Sequence, residues 1–162
     1  MNKAISNTSP LLFLYRIDSL QWLSSLFSEV WIPNAVVMEL ESARTKGYDT
    51  PNLKTYKFVQ IIDPIKLPSE WLSLELGPGE LAAMSLALDN PEFILLIDDS
   101  LARRTAIAAG LKVWGTLRIL LEAKIHGIIP LIEPYVDKLE NIGIWISDDV
   151  RNRILKLAGE KI

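Results

Sequence analysis

The chain has 162 residues and a formal charge of −3 from 17 Lys+Arg against 20 Asp+Glu, with 49% hydrophobic residues, one histidine and no cysteine. That length favours one domain, residues 1–162, which on surface scaling buries about 70% of its unfolded surface and needs no staple to build a core. Disulfides, Cys-ligated zinc, iron–sulfur clusters, Cys nucleophiles and multi-histidine metal sites are excluded, so carboxylates, hydroxyls, lysines and arginines must carry any chemistry.

Short β-like runs alternate with helical stretches, the pattern of an α/β domain with a mostly parallel central sheet. The first strand is expected over Lys3 to Asn7. Ser9-Pro10 opens a helix, and a helical pattern runs from Leu11 to Phe27 with a restart at Asp18. Glu29 to Ile32 reads as a second strand, after which Pro33 opens a helix to about Arg44. Between Thr45 and Pro68 only Phe58 to Ile62 looks like a strand. Gly77-Pro78-Gly79 is a turn, Glu80 to Asn90 a helix, and Phe93 to Ile97 a strand apolar on both faces. Asp98-Asp99-Ser100 starts a helix closed by Gly110. Leu111 to Trp114 is a strand, Thr116 to His126 a helix capped by Gly127. Beyond it, residues 127–162 read as a C-terminal extension: Leu131 to Asn141, a short strand near Ile144 to Ile146, and a Ser147-capped helix to Ala158.

No apolar run approaches the roughly 20 residues of a membrane helix, and the N-terminus lacks a signal-peptide core, so a soluble cytoplasmic protein with no membrane partner is expected. The acidic balance argues against a broadly basic nucleic-acid surface but leaves open a local basic patch or a metal-bridged approach to phosphate.

In open parallel sheets ligands bind at the carboxyl ends of the strands, and Asn7 and Asp98-Asp99 both end strands, so they should share one rim. On the helix after Pro33, Glu39 lies within the apolar stripe Val36, Leu40, Ala43, where an unpaired charge costs several kcal/mol. Glu80 falls in the first turn of its helix, where the dipole favours an anion. Each acid also has a plain structural reading: helix cap for Asp98 or Asp99, dipole partner for Glu80, paired surface acid for Glu39, turn residue for Asn7. Their coincidence is the argument. Two carboxylates about 4 Å apart repel by about 4 kcal/mol at an effective dielectric of about 20. Relief comes from protonation, a basic partner or a divalent cation, and oxygen ligands without His or Cys select Mg²⁺ or Mn²⁺.

Ile5-Ser6-Asn7-Thr8-Ser9-Pro10, Ile32-Pro33 leading to Val37-Met38-Glu39-Leu40, Gly77-Pro78-Gly79-Glu80 and Leu96-Ile97-Asp98-Asp99-Ser100, in this order and spacing, resemble a PIN domain. More narrowly, they resemble a prokaryotic branch related to VapC-type toxins of toxin–antitoxin pairs. The resemblance implies a Rossmann-like three-layer fold with strand order 3-2-1-4-5, an acidic pocket for Mg²⁺ or Mn²⁺, endoribonuclease activity on RNA, a homodimer and a small antitoxin that blocks the pocket. By position it places the four acids at Asn7, Glu39, Glu80 and Asp99, with Asp98 beside the last as a further metal ligand, and a hydroxyl neighbour at Thr8 or Ser9. Asn7 departs from the family's aspartate by one charge, and Glu80 by one methylene.

Arg103 and Arg104 are candidates for backbone phosphates or a solvated helix pair. Thr116 is a candidate for substrate or metal contact, or the cap of its helix. His126 reads as a helix C-terminal partner. Trp22, Trp31, Trp71, Trp114 and Trp145 are expected in the core or a dimer interface. Two other functions compete with the ribonuclease: a catalytically weak or silent PIN-like module that binds RNA or protein, motivated by Asn7, and a receiver-like phosphoacceptor, motivated by the Asp pair.

Overall fold

A computed structural model describes residues 1–66 and 74–161; Pro68 and Trp71 lie outside the described residues. Five strands form one parallel sheet in the order β3-β2-β1-β4-β5: β1 (Asn2–Ser6), β2 (Phe27–Ile32), β3 (Val59–Ile61), β4 (Ile94–Leu96) and β5 (Lys112–Trp114). The α/β class and the strand order expected from the sequence are both met. Eight α-helices are described: α1 (Thr8–Arg16), α2 (Trp22–Leu26), α3 (Asn34–Thr45), α4 (Pro78–Asp89), α5 (Ser100–Ala108), α6 (Thr116–Ile125), α7 (Glu133–Asn141) and α8 (Asp148–Leu157). Among the described residues, no helix is long and apolar enough to cross a membrane.

Strand alternation divides the core into two halves. Ala4, Val30, Ile32, Ile94 and Leu96 face one side and pack with α1, α2, α3, α6 and the C-terminal helices; Ile5, Leu95 and Ile97 face the other, with α4 and α5. The order of the strands reverses between β1 and β4, which opens a crevice at their carboxyl ends. Asn7 follows directly on the end of β1, and Asp98 comes two residues after the end of β4.

Three boundaries differ from the sequence reading. The first helical stretch stops at Arg16: Asp18 takes a left-handed conformation (φ 58°), Asp18 N donates to Tyr15 O and Ser19 N to Leu14 O, a Schellman ending. The second strand begins at Phe27, which belongs to β2 and not to the helix before it. The strand expected at Ile144 to Ile146 is absent. Gly143 (φ 99°) ends α7, and Ile144 N donates to Leu139 O at 3.1 Å, so its backbone closes the helix while Ile144 and Ile146 pack on the core. Trp145 is 86% exposed and lies outside the core.

Ile132, Val136, Leu139, Ile154 and Leu155 join the larger core cluster. Glu160, its side chain 5% exposed, fastens the end of the chain, accepting from Lys124 Nζ (3.0 Å), Ile132 N (2.8 Å) and Glu133 N (3.1 Å). Burial raises its proton affinity, but the Ile132 and Glu133 N–H groups and Lys124 together hold its pKa below the ordinary value. Glu160→Ala leaves those donors unpaired and is expected to cost about 2 kcal/mol, or roughly 4–8 °C in Tm. Because the folded pKa is depressed, this stabilisation is present above the ordinary glutamate range and is lost as pH falls through the depressed value. Thermal melts of both proteins across pH 3–7 should converge at the acid end.

Candidate active site

Asn7 ends β1 and caps the backbone of α1. Its N–H donates to Leu96 O at 3.0 Å, joining the ends of β1 and β4, while its side-chain Oδ1 is buried and has no hydrogen-bond partner among the described residues. A buried polar oxygen without a donor costs about 1–3 kcal/mol, a cost that a bound water or a cation would relieve. Thr8, the first residue of α1, donates its hydroxyl to Glu39 Oε2. Glu39 reaches from α3 to the start of α4, where Gly79 N–H donates to Oε1 at 2.8 Å. This carboxylate is thus satisfied by a hydroxyl and a helix N-terminus, which explains how an acid sits half-buried on a core-facing stripe.

Glu80 lies in the first turn of α4 and accepts from Gly77 N at 3.1 Å, the dipole and capping role open to it from sequence. Its pKa is raised: burial contributes most, the Gly77 N–H opposes, and the charges of Asp99 and Glu39 raise it further. Glu39 on α3 and Asp99 in the β4–α5 turn thus each act on Glu80 at the start of α4. Asp99 is the N-cap of α5, accepting from Ala102 N at 2.9 Å. None of these three, nor Asp98, forms an ion pair with lysine or arginine among the described residues.

Asp98 turns toward α6. Thr116 N donates to its Oδ1 and Thr116 Oγ1 to its Oδ2, each at 2.7 Å. Burial raises its pKa, against the two Thr116 hydrogen bonds and the nearby Arg103 charge. Thr116 is not the cap of α6: Gly115 occupies that position, and Thr116 is the first helical residue, committed to Asp98. Arg103 and Arg104 are both exposed on α5; Arg103 lies against Gly115 and Asp98, and Arg104 Nε donates to Ser100 O of its own helix at 3.4 Å. Ser9 is half-buried on α1 and bonds none of these acids among the described residues. His126 caps the C-terminus of α6, 3.4 Å from Glu122.

Two glycines escaped the sequence reading. A Cβ on Gly79 would stand 2.6 Å and 2.7 Å from the Glu39 oxygens, and one on Gly115 would stand 3.1 Å from Asp98 Oδ1. Gly-Pro-Gly reads as a turn from sequence, but the close approach that requires Gly79 involves a carboxylate forty positions away.

Among the described residues, no three acidic or histidine side chains stand close enough to hold one metal ion between them. The donors still suit a hard cation that keeps several waters and takes only one or two carboxylates directly, as Mg²⁺ does. An amide oxygen with no partner among the described residues, and a Glu80 whose proton affinity is raised by the charges of Asp99 and Glu39, are the observations that fit it.

Without such an ion, Glu80 carries an electrostatic cost. Its folded pKa lies above the unfolded one, so stability declines as pH rises through that interval. Glu80→Gln keeps an acceptor for Gly77 N–H and is expected to melt higher than wild type at pH 7 in a chelating buffer. The difference should shrink as pH falls through the raised pKa and vanish below the ordinary glutamate range. A variant that melts lower at pH 7 would deny that the half-buried Glu80 charge carries a net cost.

A switch-point crevice edged with carboxylates, on a parallel 3-2-1-4-5 sheet, defines a Rossmann-like domain with an acidic site. The family model "DUF3368: PIN domain" matches residues 3–160, and the chain belongs to the PIN-domain family. In fold it is similar to a PilT N-terminus domain protein from the hyperthermophilic archaeon Sulfolobus solfataricus P2. That match has a TM-score of 0.51 at 16% identity and covers 75% of this chain and 92% of the other. No curated protein matches the chain in sequence. The family assignment sets aside the receiver-like reading.

Proposed function

We propose that the protein is a divalent-metal-dependent endoribonuclease that hydrolyses RNA phosphodiester bonds at this acidic crest. On this reading it is the toxin half of a toxin–antitoxin pair, a cytoplasmic homodimer whose chain is one domain, 1–162, with 127–162 as its helical extension. The observation that carries the reading is Glu80 under the charges of both Glu39 and Asp99, none of the three ion-paired among the described residues, together with an Asn7 oxygen at the same rim that finds no partner among them. Membership of the PIN family supports a nuclease-type activity.

When bound, Mg²⁺ or Mn²⁺ supplies the positive charge that acidifies an attacking water and offsets charge on the leaving oxygen. Glu39, held by Thr8 and Gly79, keeps a lone pair on each oxygen for the ion or its waters. Glu80 and Asp99 add charge from the facing side, Asn7 a neutral oxygen. Asp98, its oxygens engaged by Thr116, fixes the start of α6. On this reading Arg103, Arg104 and Ser9 would contact the RNA, Arg103 through a backbone phosphate. An apolar groove of about 520 Å³, edged by Met38, Tyr48 and Pro78, adjoins Glu39 and offers a blocking antitoxin a surface next to the acids.

Asn7 favours a second reading, a weak or silent module that binds RNA or protein. Asn7→Asp restores one charge and is expected to tighten Mn²⁺ binding roughly tenfold by calorimetry, with cleavage of single-stranded RNA rising alongside. If wild type and variant both fail to bind Mn²⁺ and to cleave, the silent module is the better description.

A further inference from the structure

Behind Asp98, between α5, α6 and α8, the fold holds a cavity of about 350 Å³. Arg103, Arg118 and Arg153 line it, three of the seven arginines in a chain whose net charge is −3. Arg118 is set in place: its Nε donates to Glu122 Oε1 at 2.8 Å and its guanidinium lies 5.2 Å over the Trp114 ring. Arg103 and Arg153 enter no ion pair among the described residues. Asp98 borders the same cavity; both its oxygens accept from Thr116, and its charge faces Arg103 alone of the three arginines. Leu117, Ile154 and Leu157 supply an apolar wall. Guanidinium forks match phosphate oxygens, and an apolar wall receives the face of a base, so the lining suits a nucleotide better than a bare anion.

We propose that this cavity is a nucleotide subsite: it seats a backbone phosphate of single-stranded RNA on Arg103, Arg118 and Arg153 with the neighbouring base on Leu117 and Ile154. Asp98 lines this cavity and is the chain neighbour of Asp99, and on the ribonuclease reading an RNA strand seated here runs on toward the acids. The inference rests on the ribonuclease reading of that crest, yet this binding requires no metal. Arg118 and Arg153 thereby become substrate-positioning residues.

The test is fluorescence anisotropy with a short labelled single-stranded oligoribonucleotide in EDTA, using the full chain, Arg153→Gln, Arg118→Gln and Arg153→Lys, each checked for an unchanged melt. The Gln variants are expected to bind about five- to tenfold more weakly, with the slope of log K against log salt reduced by about 0.7 for each lost phosphate contact. Arg153→Lys should retain that slope. Wild-type affinity and slope in both Gln variants overturn the subsite, as does a polyglutamate peptide of equal charge competing as well as RNA. Cleavage with Mn²⁺ separates the two readings. A raised KM at constant kcat in Arg153→Gln supports the subsite, and an unchanged KM removes it while leaving the ribonuclease intact. Arginine-dependent RNA binding by a protein that never cleaves keeps the subsite and removes the crest chemistry.

Discussion

Asp99→Asn is expected to lower metal-dependent RNA cleavage about a hundredfold while the protein folds and melts much as before. Asparagine caps a helix as well as aspartate does, so the bond from Ala102 N–H and the start of α5 survive. What disappears is one of the charges that repel Glu80, and with it part of the attraction for a divalent cation. A charge at the reacting centre, unlike a cap, contributes to the transition state of a reaction that concentrates negative charge on phosphate oxygens. Cleavage rates under Mn²⁺, read beside a circular-dichroism melt, separate the two roles. A variant that cleaves at the wild-type rate takes Asp99 out of the chemistry and leaves it a cap.

Gly79→Ala should damage both the fold and the site. In an ordinary first turn, alanine is the better helix former by about 1 kcal/mol. Here its methyl would meet the Glu39 carboxylate at 2.6–2.8 Å, a separation at which something must move. Displacing Glu39 breaks its bond from Gly79 N–H and strains the one from Thr8, and leaves a half-buried charge with fewer donors. The expected net cost is about 1–2 kcal/mol after the gain in helix propensity, a fall of roughly 2–8 °C in Tm, together with weaker Mn²⁺ binding. A melt that rises instead would mean that Glu39 relocates freely and is not held by α4. Gly115→Ala is the milder companion, because its nearest contact, Asp98 Oδ1, stands at 3.1 Å.

Much of the architecture was legible because its signals are local. The apolar run Phe93 to Ile97 and the helical periodicities around it require only neighbours in sequence, and they lead to a parallel sheet whose strand ends carry Asn7 and Asp98. The Ile144 to Ile146 segment misled for the same reason. Alternating isoleucines satisfy the strand pattern, but Gly143 in a left-handed conformation commits the Ile144 N–H to α7 before any sheet can use it. Asp98 and Asp99 could not be told apart in advance, since both follow β4. Thr116, eighteen residues on, draws Asp98 toward α6, and Ala102 N–H holds Asp99 at the cap of α5.

The amino-acid order by itself determined the α/β class, the placing of Asn7 and the Asp pair on one rim, and the restriction of the chemistry to oxygen and nitrogen side chains other than cysteine and a histidine cluster. Only the tertiary structure decided which polar groups of the site are satisfied and by whom: Glu39 by Thr8 and Gly79, Asp98 by Thr116, Asn7 Oδ1 by no group among the described residues. It alone gathered Arg103, Arg118 and Arg153 around one cavity. Periodicity records which face of an element is dry, a property of adjacent residues. Hydrogen-bond partners and shared cavities depend on how elements far apart in the chain are stacked, and side-chain packing sets that geometry.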